Sequence, residues 1–278
     1  MKNYDLSGGS LDLSLEGGIM ETTEKRVKDS KMTVQGEVMV AEVFGKEHIT
    51  YALISTAVGV AALILMKKYA KGERARYISL RALAFLLLCA IVTNRLSQVF
   101  RYDTVRWYCI IPDSFCGMTS LVLALGVLIG KRDNAVLHFA WLSGIFGGIA
   151  TVVYPSFVGQ GPTIFYLPTI SGLLHHSLCA ITVVALLMLG WIRIDWHRWR
   201  CVVFGFTAYV TVGAFLMAVF GVSDAFHIVE PLLPGTPLTV WVMALIYLPA
   251  HALLFLIVEL TRRGMAKKAS AKELQSVA

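Results

Sequence analysis

Seven stretches of the chain are apolar over roughly the 20 residues that a helix needs to cross the hydrocarbon of a bilayer. They are residues 48–66, 77–100, 107–130, 134–155, 168–191, 201–221 and 237–260. In hydrocarbon every backbone N–H and C=O must be bonded within the chain, so runs of this length fold as helices. The expected fold is therefore an all-α membrane protein, a bundle of seven transmembrane helices. The chain has 278 residues, 56% of them hydrophobic, a size that fits one bundle. Residues 1–46 are expected to be a disordered polar tail with a short helix near 36–44. The bundle is expected over residues 47–262, followed by a basic cytoplasmic tail at 263–278.

Charge then sets the orientation. The first, third and fifth connections and the C-terminal tail carry 5, 2, 3 and 5 lysines and arginines, whereas the second has two and the fourth and sixth have none. Positive charge marks the cytoplasmic side, so the N-terminus is expected outside and the C-terminus in the cytoplasm. The net charge of +7 belongs to these loops and is no signal for nucleic acid; membrane lipids are the expected partners. Trp191, Trp196 and Trp199 among arginines are expected to form an interfacial belt. The sequence begins without the apolar run of a signal peptide, and the expected location is the cell membrane, as in a bacterial plasma membrane. No internal repeat suggests a three-plus-three transporter.

The third stretch is the unusual one. Its first half carries Cys109, Pro112, Asp113, Ser114, Cys116 and Ser120. On a single helix, Cys109, Asp113, Cys116 and Ser120 share one face, and Pro112 kinks it. A carboxylate at bilayer depth costs about 2.5–3.5 kcal/mol, so it is kept for a partner or for chemistry. The third and fifth stretches both run inward. At about 1.5 Å per residue, Cys116 and the His175–His176 pair then lie at matching depth, roughly 12–14 Å below the outer boundary. A cysteine in an apolar helix is more often a small hydrophobe; two histidines beside Ser171, Cys179 and Thr182 are harder to explain so. His48, Asn94, Arg95, Gln98, Ser223, Asp224, His227 and Glu230 gather toward the same side, with Arg95 expected to extend to the surface. The expected pocket opens outward, with Asp113, Ser114, Ser120, His48, Asp224 and His227 around the substrate.

Several chemistries are excluded or disfavoured. The last stretch has no lysine for retinal. It has one histidine, His251, where seven-span zinc hydrolases carry a His-x-x-x-His pair, and no metal site is expected. No Gly-x-Ser-x-Gly elbow is present. Five cysteines show neither a paired framework nor metal-ligand spacing. No histidines pair clearly for haem, and no cofactor is expected. A thiol and an imidazole at one depth fit nucleophilic acyl transfer, with Cys116 as nucleophile and His176 or His175 as base. Asp113 either orients the imidazole or is a capped polar group at the proline.

Several of these residues resemble the YwaF-like integral membrane proteins and their animal transmembrane acyltransferase relatives. Phe44, Gly45 and His48 match a Phe-Gly-x-x-His segment opening the first span. Ile111 to Cys116 match a Leu-Pro-Leu-His-Leu-Cys segment, and Pro155 a proline after the fourth span. His176 and Ser177 match a histidine followed by a small residue in the fifth, with His175 the alternative. Gly221 to Phe226 match a Gly-rich turn. The resemblance covers roughly residues 44–260. Ser114 stands where that family has a histidine, and Ser156 where it often has an acid. The resemblance implies seven spans and cysteine-dependent acyl transfer to lysophospholipids. The alternative is a transporter or a lipid-binding membrane protein using the same pocket without chemistry.

Overall fold

The computed structural model describes residues 43–101, 104–155, 158, 161, 163–232 and 235–277, with side chains as far as residue 264. The helix expected near 36–44 and Ser156 lie outside the described residues. Among the described residues seven α-helices follow in order: α1 (Lys46–Tyr69), α2 (Glu73–Val99), α3 (Phe115–Leu128), α4 (Ala135–Val153), α5 (Leu167–Met188), α6 (Trp199–Phe220) and α7 (Val240–Val277). Short 3-10 turns at Trp107–Ile110 and Trp196–Arg198 precede α3 and α6. No strand occurs among the described residues. Six of the helices are long and apolar enough to cross a membrane.

The exception is α3, which has 14 residues. At 1.5 Å per residue it covers about 21 Å, short of the roughly 30 Å of a bilayer core. The expected single helix over 107–130 is therefore corrected, and the cause is local. Proline disfavours the helical conformation in the residue before it, and Ile111 is extended at φ −83°, ψ 125°. Ser114 is extended as well and caps α3, its Oγ accepting from Gly117 N at 3.3 Å. Pro112 thus stops a turn rather than kinking a helix. Cys109 and Asp113 lie before the helix and do not share the face of Cys116 and Ser120.

The helices meet around α5, which packs on α1, α2, α3 and α4. Apolar burial drives little association inside lipid, so close backbone approach has to supply packing. Gly144 and Gly148 of α4 do this. A Cβ on Gly148 would stand 2.7 Å from the His176 carbonyl oxygen, and one on Gly144 would stand 3.0 Å from Val183. The expected tight packing of the fourth helix is thereby observed. One buried cluster joins α2, α3, α4 and α5 through Leu87, Leu123, Leu137 and Leu186. A second, aromatic cluster joins α4, α6 and α7 through Phe139, Phe206, Tyr209 and Phe255, and takes in Phe226 from the connection before α7. Many outward residues, such as Leu53, Phe204, Leu245 and Ile257, are exposed apolar side chains.

Three further expectations change. Trp191 is buried, with its ring 5.6 Å from that of Tyr77, so it serves packing and not a belt. Arg95 does not extend away, as described below. The last helix does not end near residue 260 but continues to Val277.

The connection between α3 and α4 is fastened by polar side chains. Asn134 caps α4 by accepting from Leu137 N at 3.1 Å, and its amide donates to Gly126 O at 2.9 Å. Asp133, in the left-handed region at φ 56°, accepts from Arg193 N at 3.0 Å and meets His138 Nε2 at 2.9 Å. Burial alone would raise the Asp133 carboxyl, but the Arg193 N–H, His138 and Arg198 outweigh it and hold it below the usual range. A depressed carboxylate contributes stability above its unfolded value, about pH 4, that is lost as pH falls through the folded value. Thermal unfolding should therefore show an acid-side loss below about pH 4 that Asp133→Asn largely removes. Asparagine tolerates the left-handed backbone, so this variant tests the charge.

Candidate functional site

The polar groups gather where the start of α3, the end of α2 and the first half of α5 meet. Cys116 is the second residue of α3, so it sits where backbone N–H groups lack helical partners. Its thiol lies against α4 at Gly147, where a Cβ would stand 2.7 Å from Sγ. The His176 imidazole reaches the backbone of the same Gly147. Gly147 is thus a neighbour of both the thiol and the imidazole, which its lack of a side chain allows. The His175 ring lies beside that of His176, tilted by 32°, with centroids 4.2 Å apart. Its Nδ1 pairs with Ser120 Oγ at 3.1 Å. Ser120 lies one helical turn after Cys116, so the two share a face of α3. His175 and His176 are buried, and Cys116 is partly accessible.

A second polar line borders this group. Asn94 donates to Pro168 O at 3.1 Å and to Ser171 Oγ at 3.2 Å. Its Oδ1 accepts from Arg95 at 2.9 Å, and Arg95 also meets Asp113 Oδ1 at 3.2 Å. The Arg95 side chain is 14% exposed and that of Asp113 51%. Asp113 is therefore an exposed partner of Arg95, with no bond to either histidine. Its carbonyl accepts from Phe226 N at 2.7 Å, which seats the connection between α6 and α7 on the start of α3. Phe226 fills the space beside Phe115 and Tyr209.

The other expected site residues are placed as follows. Ser114 is the α3 cap. Ser114→Ala should cost about 1 kcal/mol of stability, read as a lower unfolding temperature, whereas Ser114→Asp should restore it. Asp224 accepts from Val229 N at 3.1 Å and Glu230 N at 3.3 Å, folding its own loop, with His227 Nδ1 3.9 Å away. His48 accepts from Phe44 N at 3.0 Å and reaches Val152 O at 2.9 Å, joining the start of α1 to the end of α4. Both of its nitrogens are thus used by backbone. Cys116, Ser120, His175 and His176 come together; His48, Asp224 and His227 are each engaged elsewhere.

Sequence reasoning missed two connections. Tyr209 donates to Thr119 Oγ1 at 3.2 Å, and Thr119 pairs with Ser143 at 3.3 Å, linking α6, α3 and α4 below the thiol. Tyr51 pairs with Ser177 at 2.9 Å and fastens α1 to α5. Hydroxyls in otherwise apolar helices were the available signal, but their partners depend on helix rotation. Among the described residues, no group of three or more His, Cys, Asp or Glu side chains is placed to hold a metal.

Comparison with known proteins gives one positive finding. The model of the TMEM164 family matches residues 43–260. No curated protein matches the chain, and no solved structure does.

Proposed function

The chain is a multi-pass membrane protein belonging to the TMEM164 family, and from that premise we propose that it is a cysteine-dependent lipid acyltransferase. The observation that carries this reading is that the Cys116 thiol and the His176 imidazole both border Gly147. The resemblance of residues 44–260 to seven-span acyltransferases selects the same cysteine from a different direction.

The reading includes seven crossings with the N-terminus outside. The short α3 is completed by the turn at Trp107–Ile110 and the extended residues after it. Non-helical backbone at bilayer depth is tolerated where protein covers it or where it lines a cavity. Pro112 is buried, and the Asp113 carbonyl is bonded to Phe226. The distribution of positive charge among the loops supports an outer location for the α3 start, the end of α2 and the Asp224 loop.

In the reaction, His176 takes the thiol proton and Cys116 sulfur attacks the carbonyl of an acyl ester lipid. The carbon–oxygen bond breaks, the departing alcohol takes the proton from the imidazolium, and a thioester remains. The hydroxyl of a second lipid then attacks the thioester and gives its proton to His176. The new ester forms, the carbon–sulfur bond breaks, and sulfur recovers the proton. The backbone N–H groups at the α3 start are positioned to stabilise negative charge on sulfur or on the carbonyl oxygen. Ser120 holds His175, whose ring packs against that of His176.

The test is capture of the intermediate. The protein in phospholipid vesicles containing an alkyne-tagged acyl chain should acquire the tag on Cys116, removable by neutral hydroxylamine. Acyl transfer that proceeds with no tag on Cys116 would overturn the mechanism.

A further inference from the structure

His251 lies apart from the thiol and has no role in the chemistry above. It is 1% exposed, and neither of its ring nitrogens has a hydrogen-bond partner. Two neighbours share this condition. Trp141 Nε1 is buried without a partner, its ring 5.5 Å from that of His251 and nearly perpendicular to it. The Tyr247 hydroxyl, turned toward Ser143, meets no hydrogen-bond geometry, and its ring is 5.3 Å from that of His251. Phe255 stacks on the imidazole, with ring centroids 4.9 Å apart. A buried polar group without a partner costs about 1–3 kcal/mol, more in hydrocarbon, and three in contact are unlike a settled core.

The donor and acceptor pattern selects the chemistry of the missing partner. Neutral imidazole offers one N–H and one acceptor nitrogen; indole offers only a donor. A carbonyl would accept from Trp141 but leave the imidazole acceptor unmet. An ammonium group would donate to the imidazole but leave Trp141 unmet. A hydroxyl serves the imidazole acceptor and Trp141 at once, with the imidazole N–H left over. Among the described residues no charged side chain contacts the group, so the matching ligand is uncharged. The surroundings are carbon: Phe255 and the Trp141 and Tyr247 rings, on a helix whose neighbouring Pro249, Ala250 and Leu253 face outward. Pro249 lies two residues before His251 inside α7 and has no N–H for the Leu245 carbonyl, so α7 is softest beside this group.

We propose that His251, Trp141 and Tyr247 form a binding site for the hydroxyl end of a neutral lipid alcohol, admitted from the bilayer between α4 and α7. The lipid oxygen donates to His251 and accepts from Trp141 Nε1. This site is independent of the thiol: Trp141 is six residues, about 9 Å along α4, from Gly147.

The test uses full-length protein in phosphatidylcholine vesicles and a photoreactive monoacylglycerol with its diazirine beside the glycerol. Adducts are expected on peptides containing Trp141 and His251. Excess unlabelled monoacylglycerol should compete them away, and its methyl ether should not. His251→Phe, which keeps the aromatic box, should lower labelling at least fivefold, and Trp141→Phe is the second variant should the first fail to fold. Labelling should persist in Cys116→Ser, which separates this site from acyl transfer. Equal labelling of both aromatic variants, equal competition by the methyl ether, or no adducts at this site would overturn the proposal; the last result is the one expected if water alone satisfies these groups.

Discussion

Cys116→Ser should abolish lipid acyl transfer while leaving the helices assembled. The loss should be a thousandfold or more, on the order of 4 kcal/mol of transition-state stabilisation. Serine differs from cysteine by one atom and fits beside Gly147, so the unfolding temperature should move little. Its alkoxide forms far less readily than a thiolate, and this difference makes the variant a test of chemistry and not of packing. His176→Gln should fall nearly as far, because glutamine cannot take a proton. His175→Gln should lose less, since it removes a ring that braces His176 and a bond to Ser120. The measurement is transfer of a tagged acyl chain between lipids in vesicles containing each variant. Retained transfer by Cys116→Ser would end the proposal.

Gly148→Val should have the largest structural effect. A Cβ there would stand 2.7 Å from the His176 carbonyl oxygen and 2.9 Å from Ala180 Cβ. The first obstacle is backbone and cannot rotate away, so α4 and α5 must separate. Overpacking typically costs about 1–3 kcal/mol and occasionally more; here the separation also breaks the contact that brings His176 to Gly147. The expected outcome is loss of monodisperse protein in detergent, or a sharply lower unfolding temperature together with loss of transfer. Gly264→Val is a suitable control, because nothing lies within 4 Å of its side-chain position. Equal stability of the two variants would show that α4 and α5 are not held as described.

Some of this was legible before any tertiary contact was known. Most of the helices follow hydropathy because hydrocarbon leaves the backbone no alternative, whereas the start of α3 and the end of α7 depart from it. The glycine spacing of α4 foretold close packing, since small residues admit another backbone wherever they fall on a helix face. Depth counting singled out Cys116 and the histidine pair on the assumption of one continuous helix from Trp107, which the turn and extended residues before Phe115 break. The reading failed where local geometry breaks that regularity. Counting 107–130 as one helix put Asp113 and Cys109 on the face of Cys116, although the sequence Ile-Pro-Asp-Ser already held the stop and the cap.

The sequence by itself determined that this chain lies in a membrane and where most of its apolar helices run. These properties depend on composition and on distance along a helix. Only the tertiary structure decided which groups touch: Cys116 against Gly147, Ser120 with His175, Arg95 with Asp113, and His251 with no hydrogen-bond partner. Contact requires the rotation of each helix about its own axis, and that is set by how side chains from several helices fill one space. The same packing ties His48 and Asp224 to backbone at the bundle's edge and leaves polar atoms of Trp141, Tyr247 and His251 without a hydrogen-bond partner.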